Sequence, residues 1–236
     1  KDIGTLIKTF CETFYGKSKK PGLILKTSGA TFSILDRNEM LKKIKKIRDK
    51  VGSQSPNVYL LHGDLKPEEM NSLYNHPKVK AMVSFTKGEG FGRPLLEFSS
   101  TGNPVIAPNF SGQTDFLKHA VMLPGELKNV HKSASWDKVL LKESKWFYVN
   151  EKYASKILKE MFKHYKKYLP MSREQAKFVD TNFTMEKMDE LLKSLFDKYI
   201  PEPTQAVKLN LPKLNIKNSK TPEVPKIKLP KLKRVE

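Results

Sequence analysis

Two carboxylates and three glycines are gathered in Lys87-Gly88-Glu89-Gly90-Phe91-Gly92-Arg93-Pro94-Leu95-Leu96-Glu97. The glycines let a backbone come close to a guest, and Pro94 suits a first helical turn, where a lost N–H costs nothing. Amides at such a helix start point outward and favour an anion, above all a phosphate or diphosphate. Glu89 and Glu97, with seven residues between them, are badly placed to bind that charge but well placed to accept hydrogen bonds from neutral hydroxyls beside it. A nucleotide diphosphate sugar has this make-up: hexose hydroxyls at one end, a ribose diol at the other, and the diphosphate between.

A lone glycine loop is equally an ordinary turn, and a helical glutamate equally a solvated one. The order of several motifs separates the readings. After the loop come Gly102-Asn103-Pro104-Val105-Ile106 and Ser111-Gly112-Gln113-Thr114-Asp115-Phe116-Leu117. Together these stretches resemble the E-x7-E region of retaining glycosyltransferases of the GT-B fold, family 4. The resemblance covers residues 1–118 well and 119–199 more weakly. It implies that Glu89 contacts the donor sugar and Glu97 the ribose. Gly88, Gly90, Phe91, Gly92, Arg93, Pro94 and Leu95 would form the diphosphate cradle, with backbone amides near Gly92 and Arg93 as its donors. Two departures stand out. Arg93 replaces a usual apolar residue and would add a phosphate contact, and Phe98-Ser99-Ser100-Thr101 replaces small apolar residues, which bears on helix packing.

The elements that must position this loop read as an α/β fold, a Rossmann-like parallel sheet with helices on both faces. Apolar runs at 22–27, 58–62, 81–85 and 120–123 read as strands. Between them, an amphipathic helix opens the chain with Ile3, Leu6, Ile7 and Phe10 on one side. A second helix, capped by Asp36 with Glu39 three residues on, runs to about Lys50, and a third begins at Pro67. In such sheets ligands lie beyond the carboxyl ends of strands, where Gly63, Glu89 and Ser111 fall. Gly63 is assigned to the nucleotide base. Residues 125–145 read as a loop or lid with Trp136, and 146–149 as a strand or turn leading into a long helix over 151–168. Helices around 172–179 and from Thr184 to 199 follow, with Tyr165, Phe178 and Phe183 either in the core or exposed on an interface.

His62-Gly63-Asp64-Leu65-Lys66-Pro67 imitates a kinase catalytic loop. Phosphotransfer there needs an Asn five residues after the Asp, where this chain has Glu69, and a glycine loop that precedes rather than follows. The imitation is set aside.

The chain opens abruptly in its first helix. In the resembled family a strand and an Arg–Lys phosphate loop precede that helix, which makes Lys1 the lysine of the pair. The resemblance thus implies a truncated chain without the first strand or an N-terminal Rossmann-like domain carrying the acceptor site. Lys1 equally reads as a solvated terminus.

With 38% hydrophobic and 29% charged residues, the 236-residue chain has the make-up of a soluble domain with a polar appendage. No apolar run reaches bilayer-spanning length. One cysteine, Cys11, excludes an internal disulfide and points to a cytoplasmic setting, with Cys11 buried beside Phe10 and Phe14. The net charge of +19 suits a polyanion, either an anionic membrane surface at which the protein would sit peripherally or a nucleic acid. From Pro201 the chain turns to Pro and Lys, repeating Lys-Leu-Asn-Leu-Pro-Lys-Leu as Lys-Ile-Lys-Leu-Pro-Lys-Leu. Residues 200–236 read as a disordered tail, a linker or a docking segment, after a domain at 1–199.

By resemblance the activity is transfer of a hexosyl group from a nucleotide diphosphate sugar to an acceptor hydroxyl with retention. Lys1, Arg93 and the helix-start amides would meet the charge of the leaving diphosphate, with Glu89 beside the sugar. No cofactor and no metal are expected, since no Asp, His or Cys cluster offers ligands. Two alternatives stay open: a non-catalytic module that binds nucleotide sugar or a partner, and an enzyme that glycosylates nucleic acid.

Overall fold

A computed structural model describes residues 2–29, 31–136 and 138–200. Lys1 and the tail at 201–236 lie outside the described residues. The first of two compact units ends at Leu191; in the second, from Leu192, the described residues are the last turns of the final helix and Ile200.

The expected α/β architecture is present. Parallel strands β1 (Leu23–Lys26) and β2 (Val58–Leu61) form one ladder, with Leu23 opposite Val58. Strands β3 (Met82–Val83), β4 (Val105–Pro108) and β5 (Val121–Leu123) form a second parallel ladder in the order β3-β4-β5. Helices α1 (Ile3–Phe14), α2 (Ile34–Val51), α3 (Pro67–Tyr74) and α4 (Arg93–Ser99) alternate with these strands. All four residues of β4 are buried, as a strand covered on both faces requires. Its side chains divide the core by the two-residue period. Ile106 joins Leu6, Phe10, Phe14 and Leu123 on one face, while Val105 and Ala107 join Leu95, Phe98 and Phe116 on the other.

Each helix has a local reason to start where it does. Asp2 caps α1 by accepting the Thr5 N–H at 3.3 Å, and apolar residues at helical spacing turn its stripe inward. The cap of α2 is Ser33, not Asp36: Ser33 Oγ accepts the Asp36 N–H at 3.1 Å. Asp36 lies in the first turn, and its carboxylate is committed to Gly29 N–H (2.8 Å) and His62 Nε2 (2.7 Å). Asp36 lies three residues beyond the true cap, and its carboxylate serves tertiary partners instead.

Within the expected loop or lid at 125–145, residues 125–129 are a strand. Strand β6 (Gly125–Asn129) pairs antiparallel with β7 (Lys145–Val149), and Trp136 sits in the connection between them. The expected strand at 81–85 is paired only over two residues. The expected long helix over 151–168 stops early: α5 (Glu151–Lys163) ends at His164, and a 3-10 turn over Tyr165–Tyr168 leads into α6 (Leu169–Asn182). Helix α7 (Met185–Tyr199) follows as expected from Thr184. None of Tyr165, Phe178 and Phe183 is exposed. Tyr165 donates its hydroxyl to Asn103 Oδ1 (2.8 Å), and Phe183 packs within 6.1 Å of Phe178 and 6.0 Å of Phe116, ring centre to ring centre.

Cys11 is fully buried, and burial pushes its thiol above the usual range. A thiol reagent should therefore label native protein at least ~100-fold more slowly than unfolded protein, since access requires opening of the core. Rapid labelling without denaturant would show that α1 does not dock as described.

Candidate functional site

The glycine loop leaves the carboxyl end of β3 and is pinned at both ends. Thr86, buried, uses its hydroxyl twice on Gly88, donating to the carbonyl at 3.0 Å and accepting from the N–H at 3.3 Å. At the far end Gly92 caps α4 with φ 95°, a left-handed conformation that any side chain would strain. Phe91 anchors the middle, its ring 5.1 Å from that of Phe116 and 6.3 Å from that of Phe183.

A second loop, at the carboxyl end of β4, holds Glu89. Ser111 Oγ accepts the Glu89 N–H at 2.8 Å, and the Gly112 N–H donates to the Glu89 carbonyl at 3.1 Å. Ser111 adopts φ 66°, unusual for a residue with a side chain. Such strain persists only where the surroundings fix it, and Gln113 does so, fully buried and donating Nε2–H to the Pro108 carbonyl at 3.0 Å. The two loops approach so closely that a Cβ on Gly112 would lie 2.1 Å from the Gly90 carbonyl oxygen.

Gly88, Gly90, Phe91, Arg93, Pro94 and Glu97 are exposed, Glu89 is half-buried, and Gly92 and Leu95 are buried. The turn is therefore open to solvent. Glu89, Gly92, Pro94 and Leu95 also line a cavity of about 640 Å³. Leu95 belongs to the core, and its N–H, like that of Leu96, goes to the Gly92 carbonyl. An anion in this turn would thus rely on amides ahead of Pro94. Arg93 Nε pairs with Glu97 Oε1 at 3.1 Å across one helical turn. Beside that pair, burial first and the Glu97 carboxylate second push the Tyr74 hydroxyl up to about 12.

Gly63 lies in a separate group of loops beyond β1 and β2. It has φ 106°, and its carbonyl accepts from Lys26 Nζ at 2.6 Å, while His62 is held by Asp36. Lys1 is outside the described residues, so its assigned place beside the diphosphate stays an expectation. Its neighbour Asp2 donates N–H to the Phe85 carbonyl at 2.6 Å.

Sequence reasoning missed the support given by the hairpin. Phe147 stacks on Phe110 at 5.1 Å with planes 4° apart, and donates N–H to the Lys87 carbonyl at 3.1 Å. Lys87 Nζ sits 4.5 Å from the Trp146 ring centre, 4.8 Å from that of Tyr148 and 3.6 Å from Asp2 Oδ2. The aromatic run at 146–148 was the available signal.

No protein-family model matches the chain, nor does any curated protein by sequence. Solved structures do match in fold. A glycosyltransferase from Rickettsia africae aligns with a TM-score of 0.58 at 13% identity, over 85% of this chain and 45% of that one. HepE of Anabaena, solved with UDP and glucose, aligns at 0.56 and 12% identity, over 82% and 44%. The C-terminal domain of a group 1 glycosyl transferase, LpcC of Francisella tularensis, aligns at 0.50 and 14%, over 78% and 80%. The chain thus spans less than half the length of the first two.

Gly112→Ala should lower stability by about 1–3 kcal/mol through forced separation of the two loops, read as a lower urea midpoint. An unchanged midpoint would mean that the Gly90 carbonyl moves aside freely. The conclusion that the geometry and the matches support together is one of fold: an α/β domain with parallel strands and helices on both faces, built like domains of GT-B glycosyltransferases.

Proposed function

We propose that this chain is the donor-binding half of a glycosyltransferase that moves a hexosyl group from a nucleotide diphosphate sugar to an acceptor hydroxyl with retention of configuration. The observation that carries the reading is the open turn at 88–94, with Glu89 clamped to Ser111 beside it at the carboxyl ends of parallel strands. In this reading amides of residues 90–93 hold the diphosphate, Glu89 accepts from hydroxyls of the sugar, and Glu97 from those of the ribose. Arg93 exchanges its contact with Glu97 for a phosphate oxygen, and Lys1 adds a second positive charge. The bond from the anomeric carbon to the diphosphate oxygen breaks, and the diphosphate leaves with the electron pair. The acceptor oxygen attacks the same face and passes its proton to the departing phosphate. HepE, whose crystals contained UDP and glucose, makes a uridine diphosphate sugar the first donor to try.

Calorimetric titration with UDP-glucose and GDP-mannose tests the reading. Binding of at least one is expected, weakened ~10-fold or more in Glu89→Ala, about what one lost hydrogen bond to a charged group costs. Arg93→Ala should weaken binding less and flatten its salt dependence. Absence of binding to every nucleotide sugar removes the proposal; binding without donor hydrolysis or transfer favours a non-catalytic module.

A further inference from the structure

Helix α2 turns one side to the core and leaves the other bare. Ile44, Ile47 and Val51 point inward, where they join the core that Leu6, Phe10 and Phe14 of α1 belong to, and Ile44 is the one buried residue of the helix. Residues three and four places apart share a helical face, and on the outward one Ile34 and Leu35 of the first turn are followed by Lys42, Lys45 and Lys46. Ile34 and Leu35 are 76% and 81% exposed, and Phe32, just ahead of the Ser33 cap, is 57% exposed. Lys42, Lys45 and Lys46 line one shallow hollow with Asp49 and Lys50. One end of the face is therefore apolar and the other positive.

Acids do little to neutralise the positive end. Glu39 holds Lys43 at 2.6 Å, and Asp36 turns inward to Gly29 and His62, so the hollow sets Asp49 against four lysines. The apolar end is held in place. Ser33 caps the helix beneath it, and the Phe32 ring lies 6.2 Å from that of His62 and 6.0 Å from Lys26 Nζ. These side chains are thus presented from a fixed helix start rather than from a wandering loop.

We infer that the outward face of α2 docks on an anionic lipid bilayer. Phe32, Ile34 and Leu35 enter the boundary between headgroups and acyl chains, while Lys42, Lys45 and Lys46 meet lipid phosphates. Lysine stems are apolar and long, so their ammonium groups reach the headgroups while the first turn sits deeper. A second copy of the chain does not suit this face, because lysines would confront lysines. A nucleic acid would take the lysines, but it gains nothing from two exposed aliphatic side chains in line with them. The net charge of +19 draws the whole protein toward any polyanion without choosing a face, and Ile34 and Leu35 supply the choice. The inference rests on α2 and is independent of the proposed transfer reaction.

The test titrates the full chain with phosphatidylcholine vesicles, with and without ~30% phosphatidylserine, and reads binding by sedimentation. The chain should bind the anionic vesicles alone. Lys42→Gln/Lys45→Gln/Lys46→Gln should weaken that binding ~100-fold, about fivefold for each lysine lost beside an anionic leaflet. The same charge removed from exposed positions of α5, as Lys152→Gln/Lys156→Gln/Lys159→Gln, should weaken it less than ~10-fold. Ile34→Ser/Leu35→Ser keeps every charge and should weaken it ~10-fold or more, with the thermal midpoint unchanged because neither side chain is packed. Since Cys11 is buried, Leu35→Cys can carry an environment-sensitive dye, whose emission should shift to the blue on anionic vesicles, whereas the same dye at Lys156→Cys should not shift. No binding to the anionic vesicles, equal losses in the two triple variants, or full binding by Ile34→Ser/Leu35→Ser overturns the inference. So does an unshifted dye at position 35. If the α2 triple variant loses retention on duplex DNA yet binds vesicles like the parent, the face belongs to a nucleic acid and the inference fails. Loss of nucleotide-sugar binding with vesicle binding intact would count against the proposed function alone.

Discussion

The hydrogen bond from Glu89 N–H to Ser111 Oγ is the constraint on which the site depends. It joins two loops that emerge from neighbouring strands, and either loop alone would be a mobile connection over the surface. With the reciprocal bond from Gly112 N–H to the Glu89 carbonyl, the backbone of Glu89 is fixed on both sides. Its carboxylate is then presented from a rigid base, which separates an acceptor with a defined position from a solvated acid.

Rigidity there is maintained from behind. Gln113 ties the second loop to the end of β4, while Phe116 receives Phe91 from the first loop and Phe183 from the far end of α6. Gln175 Nε2 donates to the Phe116 carbonyl at 2.7 Å, and its Oε1 accepts the His119 N–H at 2.7 Å, so a buried amide on α6 satisfies two backbone groups of this region. Helix α6 and its C-cap Phe183 thus act on the glycine loop through packed rings and one side-chain amide.

Much of this could be read in the sequence because the evidence for it is local. The strand at 58–61, helix α3 starting at Pro67 and the opening of α7 after Thr184 follow from apolar runs, a proline and a polar cap. The glycine turn stood out only through the motifs that follow it in order, since alone it suits an ordinary turn equally well. What sequence could not supply was the choice among residues of equal local merit. Ser33 and Asp36 are both good caps, and only the positions of Gly29 and His62 decide between them. The resemblance offers Arg93 as a phosphate contact and Glu97 as a ribose acceptor, each taken alone, whereas in the structure the two pair with each other. The β6–β7 pairing was hidden because the exposed β6 carries no apolar alternation facing a core.

That hairpin has a mechanical consequence. Its base is tied to the site through Phe147, Trp146 and Tyr148, whereas Trp136, Val139 and Leu141 in its connection stand exposed. A fluorophore or an inserted epitope placed in that connection would ride outside the fold. Through the stiff arms of the ribbon, it would report any displacement of the Lys87 backbone.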